Sequence, residues 1–186
     1  MRLNDSLVTA ALICAAGFSQ ARDEAGVYAP LLSDSYHGVH GSLMVVQDTT
    51  MAMRSLQGSS SEWLKQFDNV PLALRQLANR PSPTQRHPLD TSSLPSQTRL
   101  VSASTVSTIF AGSGTEDHWS AFRTQTKAQG WLAFSDALLT DDALNALVYY
   151  EARCGGTCGE GGYVWLRRDS VGSPWRIAKK IVSWNS

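Results

Sequence analysis

Residues 131–184 read WLAFSDALLTDDALNALVYYEARCGGTCGEGGYVWLRRDSVGSPWRIAKKIVSW, and this stretch decides the fold. It holds four segments rich in β-branched, aromatic and aliphatic side chains: WLAFSDALL, ALNALVYYEAR, YVWLRR and WRIAKKIVSW. Turn formers separate them at residues 140–142, at a glycine run, and at residues 169–174. Runs of that length at hairpin spacing read as strands. Connections too short for a crossover force such strands to pair antiparallel. The spacing therefore predicts a β-meander of about four C-terminal strands.

Upstream the periodicity changes to that of helices, apart from one strand. Val27, Tyr28, Leu31 and Leu32 recur at helical spacing, whereas Ser42 to Gln47 (SLMVVQ) is apolar enough for a buried strand. From Ser61, the residues Trp63, Leu64, Phe67, Val70, Leu72, Leu74 and Leu77 form a helical stripe that Pro71 should break or kink. Residues 80–98 carry Pro81, Pro83, Pro88 and Pro95 among Ser, Thr and Gln, which reads as a connector within one domain. Two more helices are expected, at Ser104 to Phe110 and across Trp119, Phe122 and Thr126, the latter closed by Gly130. The expected class is α+β: an antiparallel meander plus one N-terminal strand, packed against several helices as a single domain over residues 22–186.

The 186-residue chain is 42% hydrophobic and 17% charged, with sixteen Lys and Arg against sixteen Asp and Glu. That composition suits an ordinary globular domain. The charge balance supplies no field to gather nucleic acid. Leu7 to Phe18 is an apolar run that follows Arg2 and ends in the small residues Ser19 and Ala21, the pattern of a cleaved export signal over residues 1–21. Twelve residues span about 18 Å as a helix, short of the roughly 30 Å of a bilayer core. Ala11, Leu12 and Ile13 before Cys14 do not make a lipobox, so acylation there is not expected. Cleavage would remove Cys14 and leave the even pair Cys154 and Cys158, as suits a periplasmic or secreted protein without a transmembrane segment.

The segment RCGGTCGEGGY at 153–163 is the most distinctive motif. Its glycines permit positive φ and tight turns, and in an oxidising compartment Cys154 and Cys158 should bond to each other across them. Three alternatives compete. A thiol redox centre would want two intervening residues and a helix N-terminus. Zinc would need His37, His40 or His118, none at finger spacing, so no metal is expected. An anion cradle would use the amides of Gly156, Gly159, Gly161 and Gly162, yet no lysine-bearing helix follows. No cofactor is called for.

Residues 153–186 hold six basic against two acidic side chains, and residues 22–152 nine against thirteen, so the last strands form a basic ribbon. Arg167, Arg168, Arg176, Lys179 and Lys180 are the candidate binding residues. Alternation sends one of each adjacent pair inward unless the strand ends, a bulge re-aims it, or the side chain snorkels. Asp141 and Asp142 read as turn formers, and Ser113 lies between glycines but lacks the spacing of a nucleophile elbow. Trp131, Trp165, Trp175 and Trp184 are expected in the core.

LVYYEAR, CGGTCGEGG, YVWL, Trp175 and the terminal WNS together resemble the C-terminal part of uncharacterised exported bacterial proteins, over Ala146 to Ser186 and more loosely from Trp119. SPWRI is similar to the closing hairpin of NTF2-like domains, a resemblance that implies a pocket between helices and sheet. Neither resemblance supplies a catalytic residue. Two functional readings remain. One is a non-catalytic exported module that binds a protein, an envelope component or a small ligand through the stapled loop and ribbon. The other is a small exported hydrolase or ligand-processing domain in which residues such as His118, Asp136 or Glu151 meet in a cleft of the meander.

Overall fold

The computed structural model describes residues 26–32, 44–53, 65–79, 86–91, 94–111 and 117–186. The expected signal (1–21), His37, His40, the helix start at Ser61, Pro81, Pro83 and Ser113 lie outside the described residues. In chain order the elements are β1 (Met44–Gln47), α1 (Leu72–Ala78), β2 (Leu100–Val101), α2 (Ala103–Phe110), α3 (His118–Thr126), β3 (Gly130–Phe134), β4 (Leu138–Leu139), β5 (Asn145–Gly155), β6 (Cys158–Arg167) and β7 (Arg176–Asn185). The fold is α+β. Its mostly antiparallel, seven-stranded open sheet runs β2-β1-β3-β5-β6-β7, with β4 beside β5.

Strand β5 organises the sheet because both its faces are apolar. Ala146, Val148, Tyr150 and Ala152 face one core with Leu132, Phe134, Val164, Leu166 and the helical turn at 29–32. Leu147 and Tyr149 face the other, against Phe67, Leu74 and Ala78. Alternation is thus hidden in the residue types, as in any strand covered on both sides. The expected single strand WLAFSDALL is divided at Ser135. The Ser135 amide donates to Tyr149 O (2.8 Å), and its hydroxyl accepts from Tyr149 N (2.9 Å), so the ladder continues across the break.

The N-terminal strand departs from the antiparallel expectation. Strand β1 runs parallel to both β2 and β3, with Val45 opposite Trp131. Helices α2 and α3 supply the crossover that a parallel pairing requires. Ser102 caps α2 by accepting from Thr105 N (3.0 Å), and Asp117 caps α3 by accepting from Trp119 N (3.0 Å). Gly130 does not close α3. Lys127 does, in the left-handed conformation (φ 55°), and Gly130 instead opens β3 where a Cβ would overlap the Arg153 carbonyl. Pro71 immediately precedes α1, separating it from the turns at 66–69.

Helices α2 and α3 pack Val106 and Phe122 on Val45, while α1 packs further along the same sheet face. The described parts of the proline-rich connector are tied down. Leu89 is buried and its amide donates to Asp48 O (2.8 Å), and Thr50 N donates to His87 O (2.7 Å).

Candidate functional site

The five basic ribbon residues do not make one surface. Arg167 is exposed at the end of β6, where the strand stops. Arg168 turns inward: it is 5% exposed, donates from Nε to Ala143 O (2.7 Å) and lies 4.4 Å from the centre of the Trp175 ring. Arg176 pairs with Asp169. Lys179 stands opposite Trp165 and Lys180 opposite Val164, so they address opposite faces. Lys180 meets Glu160 (2.9 Å) while its ammonium lies over Tyr150. Burial acts to raise the Glu160 pKa, but hydrogen bonds from Lys180 and Tyr150 and the Lys180 charge outweigh it, leaving the carboxyl below its ordinary value.

The glycine run is mostly strand rather than loop. Gly156 and Thr157 alone form the turn, and Cys154 and Cys158 are bonded across it with Cα atoms 5.1 Å apart. The pairing is the one expected from the sequence, closed across a two-residue turn. Gly159, Gly161 and Gly162 take no positive φ. They answer a spatial demand. A Cβ on Gly161 would land inside the Trp184 indole, 2.7 Å from Cζ2, and one on Gly159 would come within 3.1 Å of Trp184 Cζ3. The two glycines are a bed for that ring.

Trp184 reaches the bed because β7 is bulged. Gly161 is opposite Trp184 and Gly162 opposite Val182, which leaves Ser183 as an extra residue. A one-residue insertion reverses the facing of the residues beyond it, so Trp184 joins the face of Ile181. The Ser183 hydroxyl donates to Gly161 O (2.9 Å) and holds the bulge. On that face the Trp184 Nε1–H donates to Tyr149 OH (3.0 Å), and the Tyr149 hydroxyl donates to Glu151 Oε1 (2.9 Å). Arg153 donates from Nε (3.3 Å) and Nη2 (3.1 Å) to Glu151 Oε2. Its guanidinium lies 4.2 Å from the Trp184 ring centre, closing the circuit.

This circuit stands at one side of a cleft of about 510 Å³ between α2–α3 and the sheet. Ala133, Glu151 and Arg153 line it from the sheet, Phe110, Trp119 and Trp131 form an aromatic wall, and Gly155 and Gly156 of the stapled hairpin stand at its end. Trp119 and Trp131 stack at 5.2 Å with 20° between planes, and Phe110 lies 5.0 Å from each. Trp131 is directly opposite Arg153 in the β3–β5 ladder, so the wall and the guanidinium are neighbours. Arg86 also lines the cleft and makes no hydrogen bond or ion pair among the described residues. Of the four tryptophans expected in the core, Trp175, just before β7, is buried, while Trp131, Trp165 and Trp184 are half-buried.

His118, Asp136 and Glu151 are not brought together as a set. His118 packs beside Phe110, Glu151 is held in the circuit, and Asp136 Oδ2 meets His87 Nδ1 at 3.0 Å. Sequence gives no hint of the His87–Asp136 pair, because the partners lie 49 positions apart and His87 sits in the connector. Its side chains are 49% and 37% exposed, and no hydroxyl or thiol is bonded to the His87 ring among the described residues. Among those residues no three His, Cys, Asp or Glu gather as a metal site, and no helix is long and apolar enough to cross a membrane. No protein-family model matches the chain, and no curated protein or solved structure matches it.

Proposed function

We propose that this chain is a non-catalytic binding module of an exported bacterial protein, and that it holds a small ligand in the cleft between α2–α3 and the sheet. One observation carries the reading. The cleft is open, has the size of small-molecule sites, and the one carboxylate among its described lining residues, Glu151, already has both oxygens engaged by Tyr149 and Arg153. The Ser107 hydroxyl also lines the cleft, but no His or Cys is among its described lining residues to act as base or thiol nucleophile, so the site offers recognition surface rather than an activated nucleophile. The separation of the basic residues into a buried arginine, paired arginine and lysine, and opposite-facing lysines favours this cleft over the ribbon as the recognition surface. The apolar run at 7–18 with its small-residue end, and the bonded cysteine pair, support export. The finer architecture proposed is an antiparallel meander, from β3 through β7, that forms one wall of the cleft.

The test is a thermal-shift and tryptophan-fluorescence screen of the oxidised protein against a fragment library, repeated with Trp119→Ala. Hits that raise the melting temperature of the wild type and lose the effect in the variant support the reading. Absence of any Trp119-dependent hit overturns it. The hydrolase alternative rests on the His87–Asp136 pair. Turnover of ester, phosphate or glycoside substrates that His87→Gln abolishes would replace the binding reading with that one.

A further inference from the structure

We infer that the occupant of this cleft is a flat, π-rich anion, of the class of aromatic carboxylates and sulfonates. The inference rests on the cleft being a ligand site and adds what selects the ligand. Beside the neutral Gln47 and Ser107, the charged groups left with free hydrogen-bonding capacity there are donors. Among the described residues Arg86 has no hydrogen-bond or ion-pair partner, and Arg153 spends Nε and Nη2 on Glu151 while Nη1 makes no hydrogen bond. Two guanidinium groups against one carboxylate leave the cleft with an excess positive charge. Because both oxygens of Glu151 are occupied, that carboxylate offers little to an ammonium or a sugar hydroxyl.

The apolar side of the cleft matches a planar body. Trp119 and Trp131 are stacked on each other rather than splayed as a cage, so they offer no box for a quaternary cation, while both rings line the cleft beside Phe110. Trp131 stands across the ladder from Arg153, which places ring surface and guanidinium side by side. A ligand whose ring lies along the indoles would thus bring a substituent carboxylate or sulfonate to the arginine. Guanidinium favours such planar, bidentate acceptors. Arg153 is itself pre-oriented by Glu151 and Trp184, so it loses little freedom on binding.

The experiment is calorimetric titration of the oxidised full chain with 2-naphthoate, naphthalene-2-sulfonate, the neutral 2-naphthamide and the cationic 2-naphthylmethylammonium. The acids are expected to bind at least about tenfold more tightly than the amide, with affinity that falls as salt is raised. Arg86→Gln should bring the acids toward the amide and leave the amide unchanged. Arg86 is exposed, so this substitution does not threaten folding. Arg153→Gln should act the same way, and Trp119→Ala should weaken every naphthyl probe. Equal binding of acid and amide, or preference for the cation, overturns the anion inference while the cleft remains a ligand site. Failure of all four probes to bind overturns both.

Discussion

Gly161→Ala tests whether the glycine run exists to seat Trp184. The added methyl would fall inside the indole, and the three nearest atoms all belong to Trp184, so the ring must leave. Its departure forfeits the hydrogen bond to Tyr149, about 1 kcal/mol net, and the Arg153 stack, about 0.5–1 kcal/mol at a half-exposed site. Repacking the displaced ring adds about 1 kcal/mol. Alanine in a strand recovers roughly 0.5–1 kcal/mol relative to glycine. The expected net loss is about 2 kcal/mol. In a Trp184→Ala background the obstruction is gone, so the same substitution should become neutral or stabilising, giving a coupling of about 3 kcal/mol. Urea denaturation followed by far-UV circular dichroism on the four proteins of the cycle measures it. A Gly161→Ala variant as stable as the wild type, or one that costs the same with and without Trp184, would refute the seating of the ring on these glycines.

Neighbouring residues carry further consequences. At Gly162 and Gly130 a Cβ would overlap the backbone carbonyls of Ile181 and Arg153, whereas Gly156 has open space; alanine should cost more than about 3 kcal/mol at the first two and almost nothing at the third, as read by urea midpoints. Arg168→Lys should cost about 2 kcal/mol, since it loses the Nε bond to Ala143 and the planar stack on Trp175, whereas Arg167→Lys should be silent in the same assay. The Glu160 carboxyl binds protons more weakly folded than unfolded, so its stabilisation is complete above the ordinary carboxylate pKa and disappears as pH falls through the lowered one. The stability gap between wild type and Glu160→Gln should therefore be present at neutral pH and close in acid, and a gap that widens in acid would contradict the assignment. Replacing both Cys154 and Cys158 by alanine should cost about 2 kcal/mol, the loop-closure value for so short a ring, measurable by comparing oxidised and double-variant denaturation curves.

Local features are legible in the sequence and lateral ones are not. Residues 143–153 announce a strand by side-chain type, the helices at 104–110 and across 119–126 show in their apolar spacing though their caps Ser102 and Asp117 emerge only in the structure, and the two cysteines lie close enough in sequence to find each other. Adjacent basic residues imply an inward-pointing partner or an irregularity: Arg168 turns inward just past the strand end, whereas Lys179 and Lys180 simply alternate onto opposite faces, the β7 register shifts falling outside that pair. The cleft is harder to read. Tyr149, Glu151 and Arg153 fall at period two, so their common face is available from spacing alone, yet by residue type Glu151 stands out only as a candidate acid. Trp184 cannot be placed, because its face depends on one bulged residue, Ser183, whose position no periodicity reveals. The parallel insertion of β1 is likewise invisible, being decided by a partner more than eighty positions away.

That insertion bears on the order in which the molecule assembles. Strands β3 to β7 pair along the chain and can zip from one hairpin to the next, at low loop-closure cost. Strand β1 cannot. Its partners are the two residues of β2 and most of β3, so until residue 130 exists and β3 is aligned, the N-terminal third has almost no sheet to join. The later-made strands β3 to β7 are thus the template on which β1 is set, and during synthesis the apolar segment at 44–47 is the one that waits unpaired.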